Sequence, residues 1–326
     1  MPFRRNPKKG EVRLHVVSDV HASDRAWRKV LNAARMGIYK ADAVMFAGDL
    51  TGKAMVPVVE TDDGWEAEVG GRPRRARSEE DLARLEQDIA NLGYYAIRMS
   101  AEEMERLRGD PQATSERFIS EIRERVRSWM TLAADRLEGS DVPVFMIPGN
   151  DDPYEIDDIL EESPYCQNVD GRVADIPGGL QVIGLGKSSP TPWRTPRELP
   201  EDDFREEITR LTEQAKDARR TIILTHCPPH ASGLDTAPLL DENLRPKVSA
   251  GDLLRGPVGS TGVRQAIEEF QPLLGLHGHI HESGGETKIR STLCLNPGSE
   301  AAFGILRGYI ADVGSSGVER VFRVEG

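Results

Sequence analysis

Residues 273–282, LLGLHGHIHE, pass directly from an apolar segment into three histidines separated by Gly278 and Ile280. The chain has only seven histidines in 326 residues, yet three of them fall within five positions. An apolar run too short for a helix, ended by a polar cluster, reads as a buried strand with a loop at its carboxyl end. The histidines in that loop have two readings. One is a solvated turn; the other is a metal site in which His279 and His281, two apart on an extended backbone, serve different ions. The stretch alone does not choose between them.

Other runs repeat the pattern. VRLHVV (12–17) leads into Ser18-Asp19-Val20-His21, and AVMFA (43–47) into Gly48-Asp49. VPVFMIP (142–148) leads into Gly149-Asn150-Asp151-Asp152, and TIIL (221–224) into Thr225-His226-Cys227-Pro228-Pro229. With LQVIGL, TLCLN, GYIADV and VERVFRV the chain has about nine such runs, enough for the sheets of one domain. Continuous Val/Ile/Leu segments indicate strands covered on both faces, as in an α/β protein. Ligands of such folds gather beyond the carboxyl ends of the strands, where the polar clusters lie.

Between Lys53 and about residue 140 the character changes. AMVPVVETDDGWEAEVGG (54–71) predicts a hairpin turning at TDDG, followed by RPRRARS and charged helical patterns near 79–92, 101–108 and 114–138. The expected organisation is a core of residues 11–52 and 141–326, interrupted by a largely helical insertion at 53–140. Its place between two polar clusters predicts a cap over the site or an oligomer contact. The run Arg72, Arg74, Arg75 and Arg77 could bind phosphate or RNA, but such a run is more usually a solvated turn. A second, proline-rich loop covers about 187–204 and includes Trp193.

Bulk properties narrow the class. A net charge of −12 argues against non-specific binding to nucleic acid or anionic membranes. Cys166, Cys227 and Cys294 are odd in number and widely spaced, which fits a reducing compartment. The basic start MPFRRNPKKG is followed by no apolar leader region, and no run reaches the roughly 18–20 residues of a membrane span. The expected setting is cytoplasmic, with no membrane partner.

In order, the clusters read D-x-H, G-D, G-N-D-D, T-H-C-P-P and G-H-I-H. This set resembles the calcineurin-like metallophosphoesterase superfamily, nearest to small bacterial and archaeal phosphoesterases of unassigned substrate. The likeness covers nearly the whole chain outside the insertion. NPGSE (296–300) and the pattern ending at Leu234-Asp235 belong to it as well. It implies a four-layer αββα sandwich, two mixed sheets flanked by helices. It also implies two divalent transition-metal ions, Mn, Fe or Zn, and in-line attack of a metal-held hydroxide on phosphorus. By resemblance Asp19, His21, Asp49 and His281 hold the first ion, while Asn150, His226 and His279 hold the second, with Asp49 shared. Asp151 and Asp152 are the candidate catalytic residues. Many members carry histidine where this chain has Asp151. An imidazole can protonate a departing alkoxide near neutrality, whereas an ordinary carboxylate is ionised there. The expected substrate is therefore a small phosphoester, a diester rather than a monoester.

Plainer roles exist for each residue. Asp19, Asp49 and Asn150 could cap helices, His15 lies within a strand pattern, and Cys227 reads as a small buried side chain. His230 reads as either a substrate contact or an ordinary loop residue, and Trp27 and Trp193 could line a pocket. Two rival functions share the sequence: a nuclease or cyclic-nucleotide phosphodiesterase of the same superfamily, and a scaffold that kept the fold without catalysis.

Overall fold

The computed structural model describes residues 11–326; the basic stretch 1–10, read above as no secretory leader, lies outside the described residues. The chain opens with β1 (Val12–Val17), α1 (Asp24–Arg35) and β2 (Ala43–Ala47). Residues 53–140 supply β3 (Met55–Thr61), β4 (Gly64–Val69), β5 (Arg72–Ala76), α2 (Glu79–Asn91), β6 (Tyr95–Met99), α3 (Ala101–Gly109) and α4 (Pro111–Leu137). Next come β7 (Val144–Ile147), α5 (Asp157–Glu161), β8 (Cys166–Asn168), β9 (Val173–Ile176), β10 (Leu180–Leu185), α6 (Glu201–Thr212) and β11 (Thr221–Thr225). A loop region then forms two short pairs, β12 (Thr236–Pro238) with β15 (Arg255–Pro257) and β13 (Val248–Ser249) with β14 (Asp252–Leu253). The chain ends with α7 (Thr261–Phe270), β16 (Leu274–Leu276), β17 (Gly285–Ile289), β18 (Thr292–Asn296), β19 (Arg307–Gly314) and β20 (Gly317–Glu325).

Two mixed six-stranded sheets result, in the orders β20-β19-β1-β2-β7-β8 and β17-β18-β16-β11-β10-β9. Strands β1, β2, β7 and β8 run parallel, as do β18, β16, β11 and β10. The strands at the β20 end of the first sheet and both edges of the second are antiparallel. Successive side chains on a strand point to opposite faces. Val16, Met45 and Ile222 therefore fill the space between the sheets, beside Phe145, Leu224 and Leu276. Their neighbours Val17, Phe46 and Ile223 face the outer helices. The first sheet is covered by α1, α4 and α5, the second by α6 and α7. This is the expected αββα sandwich, and the unalternating apolar runs follow from it: both faces of each central strand are buried.

Residues 55–69 form the expected β3–β4 hairpin, closing between Thr61 and Gly64, within a four-stranded sheet β5-β4-β3-β6. Of the arginine run, Arg72, Arg74 and Arg75 lie on a strand, not in a turn: Arg74 pairs with Asp88 at 3.2 Å and Arg75 with Glu66 at 2.7 Å. Helix α2 packs Leu82, Leu85 and Ile89 against this sheet. Helix α4 belongs to the main core. Trp129 stacks on Trp27 with ring centroids 5.1 Å apart, and its Nε1 donates to Asp24 Oδ1 at 2.7 Å. Arg125 donates to the Ala22 carbonyl at 3.0 Å, so α4 also clamps the loop after β1. Among the described residues, no helix is long and apolar enough to cross a membrane.

His15 is fully buried beside the Tyr39 ring, and burial pushes its pKa down to about 4. The folded state thus resists a proton that the unfolded chain accepts near pH 6.5. Stability is complete above pH 6.5 and is lost as pH falls toward 4, by about 3 kcal/mol in all. His15→Leu should flatten that part of the stability–pH curve, read from urea unfolding at stepped pH. Equal slopes in parent and variant would mean that His15 is not buried in its neutral form.

Candidate metal centre

The polar clusters follow the carboxyl ends of parallel strands β1, β2, β7, β11 and β16, which brings them to one edge of the sandwich. Carboxylate and imidazole atoms of Asp19, His21, Asp49 and His281 all lie within 4.8 Å of one another. His21 Nε2 and His281 Nε2 are 2.9 Å apart, and His281 Nε2 is 3.3 Å from Asp19 Oδ1. Two imidazole nitrogens aimed at each other across a pair of carboxylates are arranged as donors to one cation.

The remaining sequence candidates form a second group. His226 Nε2 lies 3.0 Å from Asn150 Oδ1 and 3.4 Å from Asp49 Oδ1, and the His279 ring stands edge-on to His226 at 5.1 Å. The other Asp49 oxygen, Oδ2, is 3.6 Å from His21 Nε2. One carboxylate therefore presents one oxygen to each group. His226 Nδ1 is engaged by the Ala47 carbonyl at 2.7 Å, leaving Nε2 to face the site. Asn150 Nδ2 donates to Thr195 Oγ1 at 3.0 Å and to Asp151 Oδ1 at 3.2 Å, which leaves Asn150 Oδ1 pointing inward.

Electrostatics agree with a cation site. Burial opposes charge on Asp49, yet His226 and His21 beside it hold its carboxyl well below the usual range. Burial likewise opposes charge on His226, but Asp49 holds that imidazole up at about 10. Burial pushes His21 and His279 down to about 4 and about 3. The metal-free cluster thus keeps a proton on His226 that a bound cation would displace.

Backbone strain concentrates here. Asp19 (φ 53°), His21 (φ 43°), Asp49 (φ 55°) and His279 (φ 68°) all occupy the left-handed region. Such conformations cost on the order of 1–3 kcal/mol each in a non-glycine residue and cluster at functional sites. His279 also corrects the expectation of an extended H-x-H. The chain turns at His279, so His279 faces His226 while His281 faces Asp19 and His21. Just before His279, Gly278 passes so near the residue that follows β1 that a Cβ would lie 1.8 Å from Ser18 Oγ. His277 is not in the cluster; its Nδ1 meets Thr225 Oγ1 at 2.9 Å in the interior.

Asp151 and Asp152 diverge. Asp151 lies against the site, with its N–H donating to Asp49 Oδ1 at 3.1 Å and its Oδ2 2.5 Å from Lys53 Nζ. Burial and Asp49 push its carboxyl up to about 6 against the pull of Lys53. Asp152 is turned away from the cluster. Its oxygens accept from the N–H groups of Leu50 (3.0 Å), Thr51 (2.8 Å) and Gly149 (2.7 Å), tying the loop after β2 to the loop after β7.

Several supporting residues carried no assigned role in the sequence. Ser18 Oγ donates to Asp19 Oδ2, and Ser299 Oγ to the Asp19 carbonyl at 2.6 Å. Asn296 Nδ2 donates to the carbonyls of Leu234 and Ile280, so NPGSE braces the histidine loop. Asp235 accepts from the N–H groups of Ala231, Ser232, Gly233 and Gly259, which explains the motif acid after T-H-C-P-P. Trp27 is core, and Trp193 is exposed. His230 is partly exposed and contacts the Gly259 carbonyl at 3.2 Å.

No protein-family profile matches the chain. An uncharacterised protein of Methanocaldococcus jannaschii, MJ1162, is 30% identical over 162 residues, 49% of this chain, and the match spans 66% of that protein. The solved structure of TT1561 of Thermus thermophilus aligns with TM-score 0.53 and 14% identity, over 96% of this chain and 98% of that one. A second solved structure aligns with TM-score 0.55 and 14% identity, over 97% and 99%. At such identity the likeness shows the fold alone. The Asp19, His21, Asp49 and His281 cluster could bind a metal ion.

Proposed function

We propose that the chain is a dinuclear metal-dependent phosphoester hydrolase that acts on diesters in preference to monoesters. The observation that carries this reading is Asp49, whose two oxygens face two separate sets of nitrogen and oxygen donors. Asp19, His21, Asp49 and His281 would hold one ion, and Asp49, Asn150, His226 and His279 the other. Neutral imidazoles among carboxylates favour manganese, iron or zinc over magnesium or calcium. Bound there, the two cations would supply Lewis acidity toward the phosphoryl oxygens and the attacking water. The chain's own part is to orient. Ala47 fixes the His226 ring, Thr195 fixes Asn150, and Asp152 joins the loops that carry Asp49 and Asn150.

Asp151 supports the diester preference. Its carboxylate is ion-paired with Lys53 and offers no imidazole proton to a leaving group. Aryl or activated diesters and anhydrides need little such help. The three buried free cysteines fit a reducing cytoplasm, and the inserted stretch is proposed to shape substrate approach or an oligomer contact.

The test is a panel of phosphomonoesters, phosphodiesters, nucleotides and single-stranded RNA with added Mn²⁺, together with metal analysis of the purified protein. Two transition-metal ions per chain and fastest turnover of activated diesters are expected. Activity confined to RNA at low salt would favour the nuclease reading, and a metal-free, inert protein would favour the scaffold.

A further inference from the structure

Lys53 projects from a backbone that is held firmly just ahead of it. The preceding Gly52 N–H donates to Tyr95 Oη at 3.0 Å, and Thr51 N–H donates to Asp152 Oδ1 at 2.8 Å. Gly52 itself packs so tightly that a Cβ there would lie 2.2 Å from the Gly93 carbonyl oxygen. Tyr95 is buried and sits under the Arg125 guanidinium, 5.3 Å from the ring centroid. The insertion therefore fixes the point from which Lys53 projects. The side chain is 62% exposed and ends 2.5 Å from Asp151 Oδ2, whose side chain is only 13% exposed. The ammonium thus stands between solvent and the carboxylate of a residue whose backbone N–H donates to Asp49 Oδ1. Its charge is felt at both His21 and His281.

An exposed ion pair contributes roughly 0–1 kcal/mol to stability, which gives little reason to pin one so firmly. A phosphoester entering this site meets the Asp151 carboxylate, and like charges repel. The geometry points to Lys53 as a substrate-binding residue: its ammonium leaves Asp151 and takes a non-bridging phosphoryl oxygen when substrate enters. Asp151 then acts as a positioning residue that parks the lysine at the mouth of the site. The inference rests on the phosphoester reading of the metal centre and deepens it.

Inorganic phosphate is the probe, titrated calorimetrically into the Mn²⁺-loaded parent and its variants, with metal content measured in each. Lys53→Met should weaken phosphate binding roughly 10- to 100-fold, the worth of one charge-assisted hydrogen bond. It should raise KM more than it lowers kcat, with metal content unchanged. Lys53→Arg should retain most of the affinity. Asp151→Asn removes the competing carboxylate and should bind phosphate at least as tightly as the parent. A lysine that merely braces Asp151 would make the Met and Asn variants fail alike, and that result overturns the proposal. So does a Lys53→Met variant that keeps metal and binds phosphate like the parent. A parent that takes up no metal defeats the underlying phosphoester reading instead, so the two failures are distinguishable.

Discussion

Asp49→Asn should lose metal from both halves of the centre while the protein stays folded. Removing a hydrogen-bond partner behind a metal ligand costs about 10- to 100-fold in affinity, so loss of a carboxylate shared by two ions should exceed about 100-fold. The asparagine keeps the shape and one acceptor oxygen but not the negative charge that both donor groups face. The metal-free variant should fold with some loss of stability, because the asparagine removes the charge that supports the buried His226 imidazole and is supported by it. Metal content by elemental analysis, hydrolysis of an activated diester and a thermal melt of the metal-free protein check the three parts. Full metal content with full activity would sink the bridging assignment.

The second large effect is expected at Asp152, through structure and not through chemistry. Its carboxylate satisfies three buried backbone N–H groups from two loops, and its own carbonyl accepts from the buried Arg197 at 2.7 Å. Asp152→Ala leaves all three donors without an acceptor. Each unpaired buried donor costs about 1–3 kcal/mol, so a loss of about 3–5 kcal/mol is expected, allowing for water entering the gap. The two loops carry Asp49 and Asn150, so manganese affinity should also drop about tenfold or more. Asp152→Asn keeps one acceptor and should fall between. Chemical denaturation and metal titration of the three proteins provide the measurement. An alanine variant as stable as the parent would remove Asp152 from its bracing role.

What could be read from the sequence follows local rules. A central strand with both faces covered is apolar at most positions, so β2 and β7 are plain as uninterrupted runs, and β1, β10 and β11 remain legible despite Arg13, His15, Gln181 and Thr221. A cation site must be built from carboxylate, amide and imidazole groups. The clusters ending five such runs therefore exposed the candidates Asp19, His21, Asp49, Asn150, His226, His279 and His281. The edge strands β8, β9 and β17 were not legible, because they are short, partly polar and held by a neighbour already in place. The role of α4 was equally hidden. Its charged pattern resembled the rest of the insertion, and only the stack of Trp129 on Trp27 makes it part of the main core.

At the site, the sequence by itself determined the ligand types and their order along the chain. Tertiary structure alone decided the arrangement. Left-handed turns at four of the candidate ligands, the partition of His279 and His281 between two donor groups, and the withdrawal of Asp152 into a loop brace depend on contacts between distant segments. The Lys53–Asp151 pair is of the same kind, since it joins residues from the loop after β2 and the loop after β7. Side-chain chemistry is a property of each residue, whereas convergence is paid for by the packing of the whole sandwich, which holds strained backbone that no local preference would choose.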